Sequence, residues 1–340
     1  MFFSIIIPLY NRPQEIDELL DSLTRLQYRS FEVIVVEDGS SISSKDIVNR
    51  YKDRLAIRYF EKRNEGQGFA RNYGFSKAKG DFFIVFDSDI LVPDTYLNHV
   101  LDALEKKQWD AFGGPDAAHA SFTDVQKAIS YSMTSPFTTG GIRGNKKHVG
   151  QFHPRSFNMG ISRQVYEKTN GFRLSRRSED IEFSIRMIGA GFRVGLIPEA
   201  FVYHKRRATF AQFFKQTHAF GKGRIDIFML FPGELKTVHA LPAVFVVGVI
   251  ALFALNLFVF LHAGRPQIWI ALIWIGNGFL GLYTVLLFLH ALIKTRDLKV
   301  ALLGVLAAYV QLFAYGTGFI RQYVSAVLLK NRCVGRCKKE

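Results

Sequence analysis

Three stretches of this chain contain no Asp, Glu, Lys or Arg: residues 241–262, 266–293 and 300–320. A helix needs about 20 residues to cross a hydrocarbon core, where every backbone N–H and C=O must find its partner within the segment. Each stretch is long enough, and none has the amphipathic period of a helix that buries one face in a soluble protein. The alternative, a set of buried helices in a large soluble protein, would need three such segments in succession. The stretches are read as membrane spans over 241–262, 268–293 and 300–320, within a transmembrane region of residues 237–329. A basic tail, 330–340, follows.

Residues 1–236 differ in kind, with both signs of charge between short apolar runs, and a chain of 340 residues accommodates two folding units. The stretch 209–236, rich in Phe with Lys and Arg between, is a helical linker that either lies along the membrane surface or packs on the soluble domain. The first apolar run, Phe2 to Leu9, has no basic residue before it and is not a signal peptide. Nothing in the sequence sends this domain across the membrane.

Lys and Arg outnumber Asp and Glu by 44 to 29, a net charge of +15 that invites a nucleic-acid reading. Position argues against it. From Thr237 onward ten basic residues face only Asp297 and Glu340, so +8 of the excess belongs to the membrane region, where such residues set topology and meet anionic lipid. The remaining +7 suits anionic donors and lipid phosphates. The two cysteines, Cys333 and Cys337, sit in the basic tail and are too few for a structural zinc site. They read first as free thiols, with a lipidation site or a local disulfide as alternatives.

Buried parallel strands are continuous apolar runs closed by turns, and Phe3 to Pro8, ended by Asn11-Arg12-Pro13, is one. A helix over 14–26 follows, with Ile16, Leu19, Leu20 and Leu23 at helical spacing. Strands at 31–37, 56–60 and 82–86 alternate with helices at 45–51 and 69–77, which predicts an α/β domain with a mostly parallel sheet. Ligands of such sheets sit beyond the carboxyl ends of the strands, so the residues that follow each strand are the ones to inspect.

Asp87-Ser88-Asp89 follows one such strand. In an extended Asp-x-Asp both carboxylates point the same way, and hard divalent cations shared with substrate phosphates prefer such oxygens. Alone the motif is weak, because Asp is common in turns. Glu37-Asp38-Gly39-Ser40 reads equally as a helix-capping turn or as a carboxylate for base N–H or ribose hydroxyls. Gly66 and Gly68 permit close backbone approach, and Arg71 beyond them is placed to reach a phosphate or a base. Ser178-Glu179-Asp180 opens a helix, where acids favour the dipole without any chemical duty, yet a carboxylate there also suits a general base. His204 ends another apolar strand, either as a plain strand-end histidine or as a ligand to a metal or a diphosphate.

In this order the residues resemble the family-2 glycosyltransferases and their nucleotide-sugar-binding GT-A fold, over about residues 3 to 224. The matching parts are Ser4-Ile5-Ile6-Ile7-Pro8-Leu9-Tyr10-Asn11, Val35-Val36-Glu37-Asp38-Gly39-Ser40, Asn64-Glu65-Gly66 with Ala70-Arg71-Asn72-Tyr73-Gly74, Asp87-Ser88-Asp89 and Ser178-Glu179-Asp180. The resemblance implies that Asp38 binds the nucleobase or ribose with help from Pro8, Tyr10 and Arg71. It makes Asp87 a ribose and metal ligand, Asp89 the more direct ligand of Mn²⁺ or Mg²⁺, and Asp180 the catalytic base. Phe157-Asn158-Met159-Gly160 matches the strand beside the donor sugar, and His204 with Arg206 and Arg207 a basic cluster that meets the diphosphate. The implied reaction is direct displacement at the anomeric carbon, with inversion, from a nucleotide-sugar donor to a lipid-linked or glycan acceptor at the cytoplasmic face of the cell membrane.

The chain lacks the Gln-x-x-Arg-Trp helix of cellulose and chitin synthases; its nearest counterpart is Gln216-Thr217-His218-Ala219-Phe220-Gly221. Three spans are also few for a polymer channel, so addition of one sugar is expected. The alternatives are a polyprenyl-phosphate glycosyltransferase and a non-catalytic membrane scaffold; against the latter, Asp38, Asp87, Asp89 and Asp180 are all present. With three spans and a cytoplasmic first domain, the tail from Arg321 falls outside, against the positive-inside rule. A re-entrant or interfacial third stretch would remove the conflict; three spans is the expectation taken.

Overall fold

The computed structural model describes residues 1–119, 121–139, 152–261 and 267–330. Cys333, Cys337 and most of the basic tail lie outside them.

In chain order the elements begin with β1 (Phe3–Leu9), α1 (Pro13–Thr24), β2 (Phe31–Asp38), α2 (Lys45–Asn49), β3 (Ile57–Lys62), α3 (Gln67–Lys77) and β4 (Phe82–Phe86). There follow β5 (Ile90–Leu91), α4 (Tyr96–Lys107), β6 (Ala111–Gly113), β7 (Asp116–Ala117), α5 (Asp124–Thr134), α6 (Pro136–Thr139), β8 (Asn158–Ser162) and α7 (Arg163–Thr169). The chain continues through α8 (Glu179–Gly189), β9 (Val194–Leu196), β10 (Val202–His204), α9 (Phe210–Leu230), α10 (Leu241–Leu261), α11 (Gln267–Thr295) and α12 (Leu298–Tyr323). Packing divides it into two compact units. Residues 1–119 and 152–205 form one; 121–139 and 206–330 form the other.

The first unit is built on a seven-stranded sheet in the order β3-β2-β1-β4-β8-β6-β9. The alternation of strand and helix seen in the sequence gives its parallel half, in which β1 lies between β2 and β4 with Ile5 opposite Val33 and Ile84. Successive side chains of a strand point to opposite faces, and both faces here are covered. Phe3, Ile5, Ile7 and Leu9 pack with Ile16, Leu19, Leu20 and Leu23 of α1, while Ile6, Ile34 and Val36 pack with Ala70 and Phe75 of α3 and Phe183 of α8. Each such fully buried Ile, Leu or Phe contributes about 1.5–3 kcal/mol. Burial on both faces is why these strands read as unbroken apolar runs.

The other half departs from the parallel pattern. β8 runs antiparallel to both β4 and β6, with Asn158 opposite Phe86. A second small sheet, β5-β10-β7, brings His204 at the end of β10 opposite Ile90, next to the segment after β4. The backbone here is tight: a Cβ on Gly114 would lie 1.8 Å from the Ala200 carbonyl oxygen.

In the second unit, α10, α11 and α12 are long and apolar enough to cross a membrane. The residues expected as a linker form α9, whose Thr209 cap accepts from the Gln212 N–H at 3.2 Å, and α9 packs along α12 in the same unit. The packing division thus falls at 205/206, upstream of the compositional change near 236. Charge content marks where the apolar helices begin, whereas packing also counts the polar helix lying against them.

Two glycines test the packing. Gly114→Ala must displace backbone and is expected to lower stability by about 2 kcal/mol or more, whereas Gly189→Ala, with nothing within 4 Å of the new Cβ, leaves it unchanged or raises it by up to about 1 kcal/mol. Thermal unfolding of the detergent-solubilised protein reads both.

Candidate active site

The ends of β1, β2, β4 and β10 of the first unit supply the site, together with α3 and the first turn of α8. After β1, Asn11 adopts a left-handed conformation (φ 51°). Its side-chain Oδ1 accepts from Ser41 N–H at 2.8 Å and Ile42 N–H at 3.2 Å, and its backbone N–H donates to Ser40 Oγ at 2.9 Å. The turns after β1 and β2 are thereby tied together. Tyr10, directly after β1, is 51% exposed, and Pro8 is partly exposed.

Asp38, at the end of β2, is buried. Its carboxylate accepts from Glu65 N–H at 3.0 Å, Gly66 N–H at 2.7 Å and Lys62 Nζ at 3.0 Å. Three of its roughly four acceptor positions are used, so its first task is to hold the loop after β3 against the sheet edge. Gly66, at φ 101°, lets that loop pass under Ser175 and Arg176, where a Cβ would come within 2.8 Å of the Ser175 carbonyl oxygen. Glu37 faces the other way, accepting from Ser44 N–H at 3.0 Å and from Tyr59 OH.

Arg71 is placed differently from the sequence expectation. It is wholly buried, under the Phe172 ring at 5.3 Å, and its guanidinium donates to Asp87 Oδ1 at 2.7 Å and Glu179 Oε1 at 3.0 Å. The guanidinium is thus engaged by two carboxylates and does not face solvent. It fixes the end of β4 to the first turn of α8. Burial works against its charge, but Asp87 and Glu179 outweigh it and raise its pKa above the usual arginine value. Burial pushes the Glu179 carboxyl above the usual carboxylate range, with Arg71 pulling the other way and Asp180 adding to the rise.

Beyond β4, Asp87 and Asp89 meet His204. One ligand atom from each lies within 4.8 Å of the others. His204 Nε2 is 3.2 Å from Asp89 Oδ1, and the imidazole lies against the Phe157 ring, 4.8 Å between centroids. Two carboxylates and an imidazole are a donor set that fits Mn²⁺ or Mg²⁺ and leaves room for substrate oxygens. Arg12 binds the other Asp89 oxygen. Burial opposes the Arg12 charge, yet Asp89, more than Glu15 and Asp87, raises its pKa. Arg12 and Arg71 thus each neutralise one of the two aspartates.

Asp180 is the residue after Glu179, so the Asp87–Arg71–Glu179 bridge also locates it. Its Oδ1 accepts the Ile181 N–H at 2.8 Å and its Oδ2 lies 3.7 Å from Arg155 Nη1, with 18% of the side chain exposed. A single weak cation contact leaves one oxygen available. Sequence reading missed Arg12, Arg155 and Glu179 as site residues. Glu179 was visible only as an acid in a first helical turn, and Arg12 only as part of a turn.

The family described as Glycosyl transferase family 2 matches residues 4–169. Glycosyltransferase AglE of Haloferax volcanii is 26% identical over 255 residues, which cover 73% of this chain and 81% of that protein. An uncharacterized glycosyltransferase of Rickettsia felis is 30% identical over 141 residues, 41% of this chain but only 22% of that much longer protein. Among solved structures, the mannosyltransferase PcManGT from Pyrobaculum calidifontis, in complex with GDP-Man and Mn²⁺, superposes with a TM-score of 0.62. It covers 93% of this chain and 86% of its own at 17% identity, a likeness of fold.

The buried bridge makes a quantitative test. Arg71→Ala strands two carboxylates and is expected to cost about 3–5 kcal/mol. Arg71→Ala combined with Glu179→Ala should cost clearly less than the sum of the single changes, measured by chemical denaturation. Strict additivity would mean that the bridge does not hold β4 to α8.

Proposed function

We propose, from the match of residues 4–169 to glycosyl transferase family 2, that this chain is a membrane-anchored, metal-dependent, inverting glycosyltransferase that moves one sugar from a nucleoside-diphosphate donor. The observation that carries the reading is the convergence of Asp87, Asp89 and His204 beyond the carboxyl end of β4, with Asp180 held nearby through Arg71.

In this reading Asp87, Asp89 and His204 hold a divalent cation, which when bound supplies positive charge opposite the departing diphosphate. Tyr10, exposed at the end of β1, offers its ring to the nucleobase, with Pro8 beside it. Asp38 meets the base or ribose with its remaining acceptor position and otherwise shapes the pocket wall through Glu65 and Gly66. Asp180 takes the proton of the acceptor hydroxyl while that oxygen attacks the anomeric carbon from the face opposite the diphosphate. The new C–O bond forms as the bond to the diphosphate oxygen breaks, the pair of electrons leaves with the diphosphate, and the anomeric configuration inverts. Arg155 orients the Asp180 carboxylate from 3.7 Å.

The apolar helices α10 and α11 support membrane anchoring. Nucleotide sugars are cytoplasmic, which favours that face for the first unit and a lipid-linked or surface-glycan precursor as acceptor. The polyprenyl-phosphate alternative would need no base, because a phosphate acceptor is already ionised near neutral pH. A catalytic requirement for Asp180 therefore separates the two.

The test is release of nucleoside diphosphate by detergent-solubilised protein from a panel of nucleotide sugars, with a membrane lipid extract as acceptor source. Release from one donor should need Mn²⁺ or Mg²⁺, stop on chelation and return on re-addition. Asp89→Ala should abolish it, and Asp180→Asn should lower kcat by about 10²–10⁴. Full activity of both variants would sink the proposal.

A further inference from the structure

The path of α12 through the second unit is at odds with a membrane span. α10 and α11 form an antiparallel hairpin. Phe245 meets the Tyr283 ring at 6.0 Å, a Cβ on Gly276 would lie 2.6 Å from Leu252 Cδ1, and Asn277 Nδ2 donates to Asn256 Oδ1 at 3.2 Å. The start of α10 and the end of α11 therefore share one side of the bilayer, and α12 begins there, at Leu298.

A third span would run parallel to α10 and bring Phe319 beside Leu261, about 27 Å along the α10 axis from Ala243. The contacts say otherwise. Thr284 Oγ1 and Tyr309 OH are 2.6 Å apart, and Phe245 meets both Tyr309 and Phe313, at 6.0 and 5.8 Å. A Cβ on Gly316 would lie 2.3 Å from the Pro242 carbonyl oxygen, and Phe319 packs in one cluster with Ala243. Both ends of α12 thus lie at the end of the hairpin where α10 enters.

The neighbours of α12 agree. α9 runs beside it in the same direction: Phe213 clusters with Val300 and Ala307, a Cβ on Gly221 would lie 2.1 Å from the Tyr315 carbonyl oxygen, and Gln322 Nε2 donates to Asp226 Oδ1 at 2.8 Å. That stretch of α9 carries Lys215, Lys222, Arg224 and Asp226, residues costly at hydrocarbon depth. α5 covers the other flank of the first half, with Asp124 paired to Lys299 at 2.8 Å and Ser132 Oγ donating to Gln311 at 3.0 Å. Burial follows suit, at 44% of the most apolar window of the third helix against 11% for α10 and 6% for α11.

We infer that the chain crosses the membrane twice, through α10 and α11, and that α12 lies on the bilayer surface at the side where α10 enters, bedded against α9 and α5. Leu298, Leu302 and Leu306, four residues apart and about half exposed or more, form the edge that enters the acyl boundary. With two spans, Arg321 and Lys330 share a side with Lys294, Arg296 and Lys299, a clustering of positive charge that suits the cytoplasmic face and its anionic headgroups.

Reporter fusions to the full chain in a bacterial inner membrane decide the matter, whether or not the protein transfers a sugar. Green fluorescent protein and alkaline phosphatase are fused after Glu340, with phosphatase inserted at Gly264 as the exterior reference. The inference expects a fluorescent fusion and loss of phosphatase activity at Glu340, with activity retained at Gly264. Active phosphatase and a dark fluorescent fusion at Glu340 would restore the third span and overturn it.

Discussion

A single buried guanidinium determines whether the site exists as a unit. Arg71 comes from α3, yet it touches Asp87 at the end of β4 and Glu179 at the start of α8. Two carboxylates from elements 92 residues apart in sequence would repel one another without it. With it, the start of α8, and so the acid that follows Glu179, is tied to Asp87 at the end of β4. A buried pair of this kind adds little net stability relative to apolar packing, but removing one partner is costly. Its contribution is placement, and Arg12 does the corresponding service for Asp89.

The sheet explains why these groups meet at all. Parallel strands deliver their carboxyl ends to one edge, and β1, β2 and β4 each end in a polar segment that faces it. The hydrogen bonds of Asn11 and Asp38 then lock neighbouring turns together. The result is an edge whose turns are tied to one another and whose two aspartates are already paired with arginines, the kind of setting that favours preorganised binding.

Much of this was legible in the residues. The apolar runs at β1, β2 and β4 are continuous because both sheet faces are covered, and the acidic positions follow them directly. β6 and β8 were harder, since a strand of three residues such as Ala111–Gly113 has no period to detect. The bridge that Arg71 makes was not legible, because sequence shows that an arginine follows a glycine loop, not which way it points. Composition likewise counts apolar length but not direction. Ala301, Gly304, Ala307, Gly316 and Gly318 are buried small residues of α12 that let α5, α9 and the hairpin approach closely, a signature of helix contact rather than lipid contact that the charge-free length concealed.

The central claim is that Asp89 and its neighbours bind a nucleoside diphosphate through a divalent cation. Electron paramagnetic resonance of free Mn²⁺, titrated with protein and a nucleoside diphosphate, tests it most directly. The account predicts that the free-ion signal is lost with wild type and with Asp180→Asn, and that Asp89→Ala leaves it standing. Equal loss of the signal with Asp89→Ala would place the metal elsewhere and contradict the account.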